Sequence, residues 1–182
     1  MKKFGFLSLY KIPLLISLTL IIALLATTLV SKPLPILMIV VGAFLGTFVL
    51  DLEYVLLVYF FEPQSEFSKV LVSFIKHRDF TNVAQYINLH KHGIKDKSLN
   101  SAVFQIIIAA VSVFVISSNA LLILKALMLS VFASSMYKLA ESYFENKTDE
   151  WFWALKTPPT KSTILIYAFV LMVVFSYCLY LL

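Results

Sequence analysis

Three carboxylates and three histidines stand out because the sequence around them is almost uniformly apolar. Asp51 and Glu53 lie two residues apart near the end of one apolar stretch, and Glu141 lies near the end of another, one turn after Tyr137. His77, His90 and His92, all the histidines present, fall in the polar segment between those stretches. Carboxylates and imidazoles together are the raw material of a divalent metal site, since zinc, manganese and iron accept both ligand types. A metal so held activates a bound water, and the matching chemistry is hydrolysis of an ester or phosphoester. Asp51, Glu53, Glu141 and one of His92 or His77 are the candidate ligands.

The elements that carry these residues follow from composition. Of the 182 residues, 60% are hydrophobic and only 14% charged, which excludes an ordinary soluble enzyme and makes the chain an integral membrane protein. The single cysteine, Cys178, lies inside an apolar run, cannot form an internal disulfide, and reads as a membrane-core residue. Apolar stretches near the length of a bilayer crossing predict spans at about 12–30, 36–61, 99–117, 119–144 and 163–182. Ser31-Lys32-Pro33-Leu34-Pro35, Glu62-Pro63, Ser117-Ser118-Asn119 and Pro158-Pro159 separate them. The first is read as an uncleaved span, because its apolar run is long for a signal peptide and no clean cleavage site follows.

Charge tests the count. Five spans put twelve basic residues on one side and Lys32 alone on the other, whereas four spans give a worse asymmetry. The expected topology is therefore an N-terminus in the cytoplasm, a C-terminus outside and one membrane domain over 1–182. The expected location is the plasma (inner) membrane. On that topology Asp51, Glu53, Glu141 and the histidines all approach the inner surface. The sequon at Asn146 also falls inside and is discounted.

Residues 62–98 form the cytoplasmic segment. Phe67, Val70, Leu71, Phe74 and Ile75 repeat as one helix face, with Ser65 as N-cap. A second short helix is predicted over about Asn82–His90, ended by Gly93. Two amphipathic helices on the inner leaflet, their basic residues meeting anionic headgroups, fit this pattern. A segment of six bases and four acids does not point to nucleic acid. Trp151 and Trp153 in the last inner loop read as interface anchors. Gly42-x-x-x-Gly46 is a small-residue face for close helix contact, within the chain or in a homodimer.

Ionisable groups inside a span cost about 2.5–3.5 kcal/mol on insertion scales, which marks them for function. A plainer account is open beside the metal site. Asp51 and Glu53 then sit at the interface, Glu141 pairs with Lys138 one turn earlier, and the histidines are solvated. Geometry favours the plainer account, because residues two apart on a straight helix point about 200° apart. A break would be needed to aim Asp51 and Glu53 at one ion, and no proline supplies it.

The polar pattern resembles the LexA-binding, inner-membrane-associated metal-dependent hydrolase family. That family carries a glycine-containing span leading to P-D-[LI]-D-H, then H-R-G-[FL]-T-H-S-L, an H-x-x-x-D pair, and an aromatic-Pro stretch. Here Gly42-Ala-Phe-Leu-Gly46 leads to Leu50-Asp51-Leu52-Glu53-Tyr54, and His92 precedes Ser98-Leu99 with Lys97 at the second histidine. His77-Arg78-Asp79-Phe80-Thr81-Asn82 matches the same motif with Asn82 in that place. Tyr137-x-x-x-Glu141 stands for the pair and Trp151-Phe152-Trp153 for the aromatic stretch. Across about 42–155 the order agrees, while nearly every histidine is replaced. The resemblance implies a fold, a candidate inner surface and one divalent metal (Zn, Mn or Fe) if the site is intact.

The expected fold is thus all-α: a membrane bundle of about five transmembrane helices with one or two cytoplasmic interfacial helices. The expected function is that of a non-catalytic relative working through membrane and partner contacts, with an active hydrolase as the alternative. A small transporter is a third class, opposed by the scarcity of central polar groups and the lack of paired broken helices.

Overall fold

The computed structural model describes residues 11–90, 99–155, 157 and 159–182. It is all-helical, with no strand among the described residues. The chain runs α1 (Lys11–Thr28), α2 (Pro33–Val49), α3 (Leu52–Leu56) continuing into a π-helical turn (Leu57–Phe61), α4 (Glu66–Lys76) and α5 (Phe80–His90). It then forms α6 (Ala102–Ser117), α7 (Leu122–Phe144), the short α8 (Thr148–Trp151) and α9 (Lys161–Tyr180). Three helices, α1, α7 and α9, are long and apolar enough to cross a membrane, and α2 with α3 makes a fourth if the bent pair is one span. Helix α6 is apolar but has 16 residues, about 24 Å of axial rise.

Sequence punctuation places most boundaries. Pro33 and Pro35 open α2, where a missing N–H is harmless. Hydroxyls cap three other helices, as Ser65, Ser101 and Thr160 accept from the N–H groups of Ser68, Phe104 and Thr163. Arg78, at φ 56°, closes α4: its own N–H reaches Ile75 and that of Asp79 reaches Phe74, the Schellman pattern.

Two buried apolar clusters lie along the bundle, and the order in which each helix meets them gives its direction. One holds Leu50, Ala102, Val131, Leu139, Trp151 and Ile164, and the other Leu24, Ile39, Ile116, Ala126 and Cys178. Helices α2 and α7 pass from the second cluster to the first, while α6 and α9 pass the other way. Helix α1, joined to α2 by a short turn, ends at the second cluster beside Ile39 and Ala43. So α2 and α7 are parallel neighbours, separated in sequence by the return passage of α6. Cys178 is fully buried in the second cluster, in keeping with its reading as a core residue.

The predicted continuous helix 36–61 is corrected. It breaks at Leu50-Asp51, and the two parts differ in direction by 50°. The Asp51 N–H reaches back only to Phe48, at 3.0 Å, and the Tyr54 N–H to Asp51, at 3.2 Å. Both are tight turn bonds, and the Leu50 carbonyl is released from the helical ladder. Beyond the break, Glu53, Tyr54, Leu57 and Val58 face inward, while Leu52, Val55, Leu56, Tyr59 and Phe60 form an exposed apolar stripe. Leu57 and Val58 meet Leu71 of α4 in a satellite cluster with Val83, Tyr86 and Ile87 of α5. The apolar face of α4 is therefore turned toward Leu71 and Val72, and Val70 is left exposed.

Candidate functional site

The break between α2 and α3 brings several polar side chains together. Asp51, in the turn, meets the Lys138 ammonium of α7 at 2.8 Å, both side chains being about a quarter exposed. Glu53 is two residues further on, in α3, and buried. Its Oε1 accepts the Leu99 N–H at 2.8 Å, and its Oε2 accepts from Asn100 Nδ2. The same Asn100 amide lies 3.4 Å from the released Leu50 carbonyl. One amide therefore answers two acceptors that the broken helix leaves inside the protein, where an unpaired polar group is costly. Asn100 Oδ1 is buried and has no partner among the described residues.

One turn deeper along α6 lies Gln105, fully buried. Its Oε1 accepts from the Trp151 indole at 3.2 Å and lies 3.0 Å from the Tyr167 hydroxyl. The same hydroxyl is 3.2 Å from the Ala102 carbonyl, and Phe152 stacks edge-on against the Tyr167 ring. Trp151, expected as an interface anchor, is packed inside the protein. Its polar tip finds an acceptor inside the bundle, so the whole indole can be buried, at 3% exposure. Trp153 is exposed.

The predicted ligands separate. The break that a shared ion would require is present, yet Asp51 and Glu53 turn to different partners, Lys138 on α7 and the Leu99-Asn100 backbone and amide ahead of α6. Glu141 is half-buried one turn beyond Lys138 on α7. His77 is exposed at the end of α4. His90 is exposed at the end of α5, its ring 4.2 Å from Tyr86. His92 lies outside the described residues, as do Gly93, Lys97 and Ser98. Among the described residues no three of His, Cys, Asp and Glu stand close enough to hold one ion. A divalent ion needs several free carboxylate, imidazole or carbonyl donors. Here three carboxylate oxygens of the leading pair are taken by N–H and ammonium donors, so the described residues do not fit a metal.

The small-residue face is used within the chain. A methyl on Gly46 would stand 2.5 Å from the Leu127 carbonyl oxygen and 2.7 Å from Ser130 Cβ, and one on Gly42 would strike the Ile123 carbonyl. Close approach lets side chains bond across: Ser130 Oγ donates to the Ala43 carbonyl at 2.5 Å and stands 3.3 Å from Thr47 Oγ1. At the same end Lys125 reaches the Ile116 carbonyl at 2.9 Å, closing the C-terminus of α6.

Sequence reasoning overlooked Asn100, Gln105 and the reach of Lys138. A signal existed for two of them. Gln105 is the only amide inside the run 102–117, and Asn100-Ser101 immediately precedes it. No family model matches the chain, and neither a curated protein nor a solved structure does.

Proposed function

We propose that this is a five-pass protein of the plasma (inner) membrane, N-terminus in the cytoplasm and C-terminus outside. It works through lipid and partner contacts at its basic inner face, as a non-catalytic relative of the LexA-binding metal-dependent hydrolases. The observation that carries the non-catalytic reading is the engagement of both central carboxylates. Asp51 holds an internal ammonium at 2.8 Å, and Glu53 receives donors on both oxygens. Lys138 supplies the positive charge that a metal would supply.

The five passes are supported by direction. Parallel α2 and α7 require an odd number of crossings between them, which α6 provides despite its length. The exposed Lys69, Lys76 and Arg78 lie on the segment after the break, and Lys147 and Lys161 lie at the N-termini of α8 and α9. Each base near an anionic leaflet contributes about 1 kcal/mol of attraction, so the group favours binding of acidic lipid.

Metal analysis of the detergent-purified protein tests the reading, beside Asp51→Asn and Glu141→Gln. We expect substoichiometric Zn, Mn and Fe in all three. One equivalent in the parent protein, lost in both variants, would establish the hydrolase instead. Topology is tested by labelling single cysteines in a Cys178→Ser background. A cysteine at Lys32 should react from outside in intact cells, and one at Lys147 only after permeabilisation; the reverse pattern would overturn the orientation.

A further inference from the structure

Helices α7 and α9 leave a groove of about 400 Å³ between them. Met136, Ala140 and Tyr143 line one wall, Ile164, Ala168 and Met172 the other, and among the described residues no charged side chain lines it. The two alanines make the notch, and the two methionines give it an adaptable lining. Each wall runs about eight residues, or about 12 Å, close to half of a hydrocarbon core about 30 Å thick. Beyond Met172 the groove stops, and α9 continues into the second cluster, where Cys178 packs with Leu20 and Leu24 of α1.

We propose that this groove holds one acyl chain of an inner-leaflet phospholipid, with the lipid phosphate at Lys161. The inference rests on the five-pass reading, which places the Tyr143–Ile164 end at the cytoplasmic boundary. Length selects the occupant: a half-membrane slot suits one acyl chain, whereas a crossing helix from a second copy would need a contact strip along the whole of α9. Charge agrees with it. Lys161 is exposed, three residues before Ile164 and seven before Ala168, and so lies on the groove face one turn nearer the mouth. Its ammonium is complementary to the phosphate that every phospholipid carries where its chains begin.

The experiment reconstitutes the full chain into phosphatidylglycerol–phosphatidylcholine vesicles containing a phospholipid with a photoreactive acyl chain, and maps the cross-linked peptides. Labelling should concentrate on 136–144 and 164–172 above the lipid-exposed α1, and Ala168→Phe, which fills the notch, should reduce it to the α1 level. Lys161→Gln should reduce it roughly fivefold, the worth of one surface charge, while Lys161→Arg preserves it. Ala140→Leu serves as a second groove-filling variant should Ala168→Phe not elute as a folded species. Equal labelling of α1 and the groove, or labelling unmoved by either filling variant, would overturn the proposal, as would a cross-linked dimer joined through 164–172. Absence of label from α1 as well would refute the membrane reading itself.

Discussion

Helices α2 and α7 run parallel, and opposite means hold them at their two ends. At the Gly42–Gly46 end the backbones touch. The packing there is carried by the absence of side chains, with Ser130 and Thr47 bonding in the space so gained. At the Asp51 end the helix has broken, and side chains make the fastening: Lys138 of α7 reaches Asp51, while Asn100, ahead of α6, reaches Glu53. The first end tolerates no added atom. At the second, each polar group needs its partner. Asp51 and Glu53 are used there to close the bundle.

The largest effect should come from Gly46→Leu. Its Cβ alone would lie 2.5 Å from a carbonyl oxygen, so α2 and α7 must shift apart there. Overpacking of this kind costs roughly 3 kcal/mol. Unfolding by SDS in mixed micelles should show it, and an unchanged midpoint would mean that the glycines do not face α7. Gly42→Leu should act in the same way, lowering stability of the chain itself rather than only its self-association.

Next comes Glu53→Ala, which strips the acceptor from the Leu99 N–H and the Asn100 amide. Buried donors left without partners cost roughly 1–3 kcal/mol. Adding Asn100→Ala should cost less than it does alone, because the amide has then lost most of its work. Strict additivity of the two changes in the same SDS titration would show that the pair is not coupled.

These two ends were unequally legible in the sequence. The glycine spacing announces a close contact at Gly42 and Gly46, because only one physical demand, small size on one helix face, is being met. The helix ends are legible for the same reason, since Pro33, Ser65 and the Ser117–Asn119 turn act on their immediate neighbours. The break at Leu50-Asp51 is not: no proline or glycine marks it, and it is stabilised by Asn100, some fifty residues later. Trp151 shows the same limit. Its position after an apolar run fits a lipid anchor, and only the acceptor on Gln105 makes burial the better outcome. Sequence spacing also put Lys138 beside Glu141, whereas the parallel packing of α2 and α7 carries its ammonium to Asp51.

Lys138→Met should cost about 1 kcal/mol, less than the Glu53 change, because the pair is a quarter exposed and water replaces part of the lost attraction. Asp51→Asn in the Lys138→Met background should recover part of the loss, since it removes the charge left unpaired. If Lys138→Met instead raises metal occupancy, the ammonium has been holding the place of an ion, and the non-catalytic reading becomes a statement about one substitution.

The smallest effect belongs to the other lysine of α7. Lys125 and Lys138 lie thirteen residues apart on one helix, and among the described residues the first forms no ion pair with a carboxylate. Its ammonium donates to the Ile116 carbonyl, one of the acceptors that the end of α6 leaves without an intrahelical donor. A cation there also opposes the negative end of the α6 dipole, an effect worth about 0.5 kcal/mol. Lys125→Met keeps the apolar stem and removes only the charge and its hydrogen bond, so it should destabilise by about that amount. The loss should appear as faster amide exchange at the last turn of α6, with the Asp51 end unchanged. Exchange that quickens equally at Asn100 and Gln105 would mean that α6 transmits strain along its length, and that the two ends of the bundle are one cooperative unit rather than two separate fastenings.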